Sequence, residues 1–542
     1  MKGEIFSRKL RVKQVFSIVL VSLLVLGALS LTGCVDDEGE ENTFNIGYVG
    51  EPKDFHPIRY TAGMETGQFL QQIFDPLLVT YYDGKPNAGG QAVAESYQEL
   101  DDGMRYTFEI EEGIKFHNGD ELKADDVKFT IDTMRMGKDS NEYFELYNVD
   151  KNPDSVRKSQ FDAVESVETT GDYSLEIKMK ELDAEFLSSD GFENIRIVPL
   201  DYIEENGWDK FDEELIGTGP YEFKHYKKGD EIVMTKFDDA HVEVKNIDKI
   251  VVKFYGDESS AVTAMRNGDI DFMPSIDAMN YQDLKNVDDV KSDSYELGGT
   301  MYVAFNQQEG NPTNNTKVRK AIAYALDVNE IIQGTSTDEL VKNERALVPD
   351  IHPAYPDNLN MYEQDKAEAR KLLDEAGYSD GLTLEFYAWD GSDEPLPIIQ
   401  EQLEDVGIET NINALEWGGF MDAMEAGEPD IMYTGWPGAA SAKYMMGWLT
   451  QDHYDIQWSL YYNSTAYTEK MEQAYQTVDF DERMNLYKEA QRILVNDEMG
   501  LFNLWTEEDE FAYRTEVEIP ENAKIAYTDG PLTHLHLFEL DK

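Results

Sequence analysis

YTFEIEEGIKFHNGDELKADDVKFT, residues Tyr106–Thr130, reads as one supersecondary unit. Tyr106, Phe108 and Ile110 alternate with Thr107 and Glu109, the period-two pattern of a half-buried strand. Glu112-Gly113 predicts a turn, and Ile114-Lys115-Phe116 predicts a second short strand. His117-Asn118-Gly119-Asp120 predicts another turn, since Asn-Gly supplies the positive φ that tight turns need. Asp125 and Asp126 stand where acids favour a helix N-terminus, ahead of Val127, Phe129 and Ile131. None of these residues forms a catalytic pattern.

Further motifs lie on either side in a fixed order. They are Phe74-Asp75-Pro76-Leu77-Leu78 with Asp83-Gly84, then Gly217-Thr218-Gly219-Pro220-Tyr221, then Ala264 to Asp271. Tyr302 to Asn306, Val318-Arg319-Lys320-Ala321, Ala325-Leu326-Asp327, Lys366 to Tyr378 and Asp430 to Trp436 follow. Together with residues 106–130, this series resembles the family 5 extracellular solute-binding proteins of ABC transporters, which include dipeptide-, oligopeptide- and nickel-binding members. The resemblance covers nearly the whole chain after its N-terminal segment.

The resemblance implies a mixed α/β fold of two lobes joined by a hinge, with an additional domain inserted in the first lobe. Its expected boundaries are residues 42–82, 207–297 and 507–542 for the first lobe, 83–206 for the insert and 298–506 for the second lobe. Crossings between lobes are expected near Thr300 and Thr506, where closure would act as a hinge. Local patterns predict strands at Phe44–Val49 and Ile250–Tyr255, and a return strand through Leu535, Leu537 and Phe538. They predict helices at Lys366–Ala376, stopped by Gly377, around Val318–Leu326 and around Leu486–Leu494.

The N-terminus carries its own message. Lys2, Arg8, Lys9, Arg11 and Lys13 precede an apolar run from Val15 to Leu31, and Leu31-Thr32-Gly33-Cys34 follows. This is the layout of a lipoprotein signal peptide over residues 1–34, ending in a lipidated Cys34. An acidic tether over residues 35–41 comes next. Localisation on the outer face of the cell membrane, through a lipid anchor, is expected. Cys34 is the sole cysteine, which excludes internal disulfides and Cys-rich metal sites.

The chain holds 109 acidic and 47 basic residues, a net charge of −62. Such self-repulsion opposes compaction unless salt screens it, so a saline environment is expected. Phosphate backbones would be repelled, so nucleic acid is not an expected partner. With 41% apolar and 12% aromatic residues, packed cores are nonetheless expected.

No metalloprotease helix, nucleophile elbow or phosphate loop occurs. His534-Leu535-His536 would put two imidazoles on one strand face, more simply surface residues than metal ligands. No cofactor or enzymatic activity is expected. A ligand site is expected among aromatics. The resemblance places Trp436 in the ligand pocket, and Gly435 before it and Pro437-Gly438 after it agree with a cleft position. Tyr433, Trp417, Asn306, Arg59 and Tyr60 are the other candidates, Arg59 for a ligand carboxylate. Trp448 and Trp458 read as lobe core, and so does Trp417 on its pattern alone.

In peptide-binding members an Asp about three residues after this Trp pairs with the ligand's α-ammonium. Ala439 and Ala440 stand there in this chain, and Glu51 or Asp54 are the possible substitutes. The expected partners are a small ligand, first a peptide and second an oligosaccharide with a nickel chelate behind them, and separate permease and ATPase subunits. The chain is expected to be a monomer. The alternatives from other classes are a secreted hydrolase and a sensory receptor of the same fold.

Overall fold

The computed structural model describes residues 42–541 except 53–54, 61–63, 81–84, 154, 156, 189–191, 193, 336–339, 392–393, 437, 439–440, 452–456 and 521–529. The signal segment, Cys34, the acidic tether, Asp54, Ala439 and Ala440 lie outside the described residues.

Two long strands organise the fold. β1 (Val290–Phe305) and β5 (Leu501–Arg514) pair antiparallel from Val290↔Arg514 to Ala304↔Leu501. Thr300 faces Thr506 in this ladder, and the register shifts between Glu296 and Gly299. On one side of the pair lie β4 (Ile431–Trp436), β2 (Leu382–Trp389) and β3 (Ile408–Leu415) in that spatial order. On the other side come Phe272–Met273, Thr43–Val49, Lys249–Tyr255, Glu231–Lys236 and Tyr221–Lys227. One sheet therefore runs through both lobes, and Thr43–Lys542 pack as one unit.

Each lobe has its own core. Phe44, Ile46, Ile250, Val252 and Phe272 bury with Phe511 and Phe538 in the first. Phe305, Ile322, Leu384, Phe386, Ile431 and Phe502 bury in the second. A separate four-stranded antiparallel sheet (Ala94–Leu100, Arg105–Ile110, Ser174–Met179, Val164–Gly171) shares the first core. Tyr106, Phe108 and Ile110 point inward from it, as their alternation requires.

The motif around residues 106–130 works as a joint. His117 N–H donates to the Gly217 carbonyl at 2.9 Å, Gly217 N–H donates to His117 Nδ1 at 3.3 Å, and Nε2 of His117 lies 3.0 Å from the Gly219 carbonyl oxygen. A Cβ on Gly219 would sit 2.6 Å from the Ile73 carbonyl carbon, so only glycine lets these backbones meet. Thr218 Oγ1 donates to fully buried Asp75 at 2.9 Å. Three sequence motifs thus meet at one seam between the small sheet and the first lobe.

Two local expectations are corrected. Ile114–Phe116 forms only the single bridge Lys115↔Glu121. Pro531–Leu537 is a 3-10 turn, and only Glu539–Leu540 extends as strand. Leu532, Leu535 and Phe538 are all buried, which a period-two strand could not achieve. The helix Lys366–Ala376 forms as its pattern predicts, with Asp365 capping Ala367 and Glu368 and Gly377 at φ +95° closing it.

Candidate functional site

β2, β3 and β4 run parallel. Their carboxyl ends present Trp389, Trp417 two residues beyond Leu415, and Trp436. The carboxyl edge of parallel strands is where α/β folds open crevices for ligands. Here the three indoles, with Trp458, line a cavity of about 290 Å³. Its remaining walls are Gly299, Thr300 and Met301 from β1, Thr434, Gly435 and Gly438, and Glu507 and Asp509 from β5. All of these residues belong to the second lobe or to the two crossing strands.

The rings brace one another. Trp436 stacks on Trp448 with centroids 4.9 Å apart and meets Trp458 edge-on at 6.1 Å. Trp417 lies 5.7 Å from Trp458 and 6.2 Å from Trp389. Trp448 is core, stacked in turn on Tyr302 at 5.6 Å. Trp417 is 53% exposed, so it belongs to a wall open to solvent and not to the lobe core. The Trp436 indole N–H is buried without a hydrogen-bond partner among the described residues. A donor in that state favours an incoming acceptor.

Glu507 and Asp509 share one face of β5 by the two-residue period. Glu507 accepts from Trp505 Nε1–H at 3.1 Å. Burial pushes its carboxyl above the ordinary range, and the Trp505 hydrogen bond works against that rise. No Lys, Arg or His is among the described lining residues.

Of the residues singled out from sequence, the structure brings Trp436 and Trp417 together. It places the other four elsewhere. Tyr433 is buried against Trp505, because three residues along a strand reverse the face. Asn306 is buried and donates to the Pro429 carbonyl at 2.9 Å, tying β1 to the loop before β4. Arg59 pairs with Asp212 at 3.3 Å, beside His56. Tyr60 is buried under the Arg157 guanidinium and donates to Asn194. Glu51 accepts from Tyr226 and Gly229 in the first lobe. Trp458, expected as lobe core, is half-buried and stands on the cavity wall instead, while Trp389, Glu507 and Asp509 carried no sequence signal strong enough to select them, the two acids least of all among so many.

The profile of the bacterial extracellular solute-binding proteins, family 5 (middle), matches residues 90–455, more than half of the chain. The chain belongs to that family. Members of family 5 are binding proteins outside the cytoplasm and not enzymes. This family 5 protein is 26% identical to the oligopeptide-binding protein AppA of Bacillus subtilis over 78% of this chain and 80% of that one. It is 27% identical to heme-binding protein A of Haemophilus influenzae over 84% and 85%. Its fold matches a Helicobacter pylori DppA structure in complex with the peptide STSA, with a TM-score of 0.70, 22% identity and coverage of 92% and 98%. Among the described residues no helix of this family 5 protein is long and apolar enough to cross a membrane.

Proposed function

We propose that this protein is the lipid-anchored solute-binding component of an ABC importer and that its solute is a peptide. It holds the ligand at the strand crossing and hands it to separate permease and ATPase subunits. Cys34 carries the anchor, and the protein acts as a monomer in a saline setting. Residues 83–206 form the inserted domain, with residues 42–82, 207–297 and 507–542 as the first lobe and 298–506 as the second. The observation that carries the reading is the indole-walled cavity beside Thr300 and Thr506 in a family 5 chain. At about 290 Å³ it stands at the lower end of small-molecule pockets, room for one end of a short peptide.

The test is the melting temperature of the purified protein with short peptides and with oligosaccharides, followed by analysis for products. A peptide at a hundredfold over its Kd adds about 2.7 kcal/mol, and the melt rises. A rise with sugars alone would overturn the peptide reading. Accumulating cleaved product would overturn the binding-protein reading.

A further inference from the structure

A polar junction joins the small sheet to the second lobe. On the near side, the strand ending at Met179 leads into Asp183, Ala184 and Glu185, and Phe186 and Leu187 just beyond bury in the first core. On the far side stand the turn at Ser441–Lys443 and the helices Thr465–Tyr475 and Phe480–Arg492, whose Tyr467, Met471, Tyr487 and Ala490 bury in the second core. Glu185 is 3% exposed. One of its oxygens accepts from Ser441 Oγ at 2.8 Å and from Lys443 N–H at 3.1 Å, and the other lies 3.6 Å from Arg483 Nε. Asp183 accepts from Lys443 Nζ through both oxygens, at 2.9 and 2.8 Å. Ala184 N–H donates to the Tyr475 carbonyl at 3.1 Å, and Lys85 Nζ stands 4.4 Å from the centre of the Phe480 ring. None of these residues is among the described lining of the cavity.

The two cores stay separate across this junction, which is built of hydrogen bonds and ion pairs. Polar contacts of that kind suit domains that part and meet again. The chain itself crosses between the lobes on β1 and β5, and the register shift between Glu296 and Gly299 marks a place where that ladder can bend. A rotation there carries Ser441 and Lys443 away from Asp183 and Glu185. Ser441 follows Gly438 of the cavity wall by three residues.

We propose that Asp183 and Glu185 are positioning residues for the cavity: they tie the small sheet to the second lobe, hold the lobes together and slow the exit of a ligand that they never touch. Opening returns Glu185 and Arg483 to water together, so the junction parts at less cost than losing one partner while the other stays buried. A ligand enclosed by the lobes is held in proportion to the closed fraction, so a chain closed a tenth of the time binds it about tenfold more weakly. The small sheet thereby acts on affinity from a distance. The inference rests on the cavity being the ligand site, and not on the ligand being a peptide.

The experiment compares the unaltered chain with Asp183→Lys, with the charge swap Asp183→Lys/Lys443→Asp, with Glu185→Ala and with Glu185→Gln, all at about 0.1 M salt, where the Debye length is about 10 Å. Small-angle scattering gives the radius of gyration of each ligand-free protein. Stopped-flow tryptophan fluorescence gives the association and dissociation rates of alanyl-phenylalanyl-alanine, and thermal melts show that each variant folds. Asp183→Lys sets two ammonium groups where an ion pair stood, and it is expected to enlarge the radius of gyration and to speed dissociation about tenfold. Glu185→Ala is expected to do the same. Glu185→Gln keeps an acceptor for Ser441 and Lys443 and is expected to open less. The charge swap is expected to bring size and dissociation rate back toward the parent. Lower melts with unchanged size and dissociation would overturn the proposal, leaving the junction a matter of stability alone. A swap that restores neither quantity would overturn it too. If the tripeptide binds to none of the proteins, the peptide reading falls, and the ligand-free sizes alone decide the tie: equal radii overturn it, and radii ordered as expected support it.

Discussion

Trp417 on the cavity wall and Glu510, next to Asp509 on β5 but outside the described lining, show how side chains divide between ligand and stability. Trp417 is half exposed and packs on Trp458 and Phe420. Trp417→Ala is expected to weaken ligand binding about tenfold while shifting stability by no more than about 1 kcal/mol. Calorimetry beside a thermal melt checks both halves. Glu510 has a carboxyl raised to about 8 by burial, with Asp509 adding to the rise. Between about pH 4.5 and pH 8 the folded chain holds a proton that the unfolded chain releases, so this group makes stability fall as pH rises through that window. Glu510→Gln should leave the melt near pH 5 unchanged and raise stability at pH 9 by on the order of 1–2 kcal/mol. Equal melts for parent and variant at pH 9 would refute that assignment. Candidate residues were only half legible at this scale. Trp436 stands out through its glycine neighbours, but Tyr433 is near it only in sequence, since a strand turns residues three apart to opposite faces. Glu507 and Asp509 were hidden among 109 acids, since nothing local distinguishes a carboxylate that faces a cavity.

A short contact from the small-sheet region holds the segment after the site. Glu185 is buried, accepts from Ser441 Oγ at 2.8 Å and from Lys443 N–H at 3.1 Å, and lies 3.6 Å from Arg483. Lys443 reaches Asp183 at 2.8 Å, and Ala184 N–H donates to the Tyr475 carbonyl. The turn that starts at Ser441 is therefore pinned from outside the second lobe, five residues after Trp436. Removing a buried, hydrogen-bonded carboxylate leaves Arg483 beside an empty place. Glu185→Ala is expected to cost about 3 kcal/mol and to speed amide exchange across Ala442–Gly447. Unchanged exchange there would show that the contact does not hold the turn. Individual elements were legible where a pattern was long or capped, as in Lys366–Ala376. They were not where tertiary packing overrides alternation, as at Leu535–Phe538. The ordered motifs were legible as a series, yet their physical task was not. His117, Gly217, Gly219 and Asp75 meet only in space.

At the level of the whole molecule, charge and closure set the behaviour. With a net charge of −62 and exposed ion pairs such as Lys115–Asp239 contributing little each, repulsion dominates in dilute buffer. The melting temperature is expected to climb by several degrees between dilute and molar salt, where the Debye length contracts to about 3 Å. A flat curve would contradict a saline role. The two long strands make the lobes one sheet, and the indole-walled cavity lies where those strands cross. The most direct measurement is native mass spectrometry of the purified protein mixed with equal amounts of several short peptides and oligosaccharides. One intact peptide per protein chain, with the peptide mass unchanged over hours, is the predicted result. A sugar adduct, a cleaved peptide or a bare protein under every condition would contradict the account.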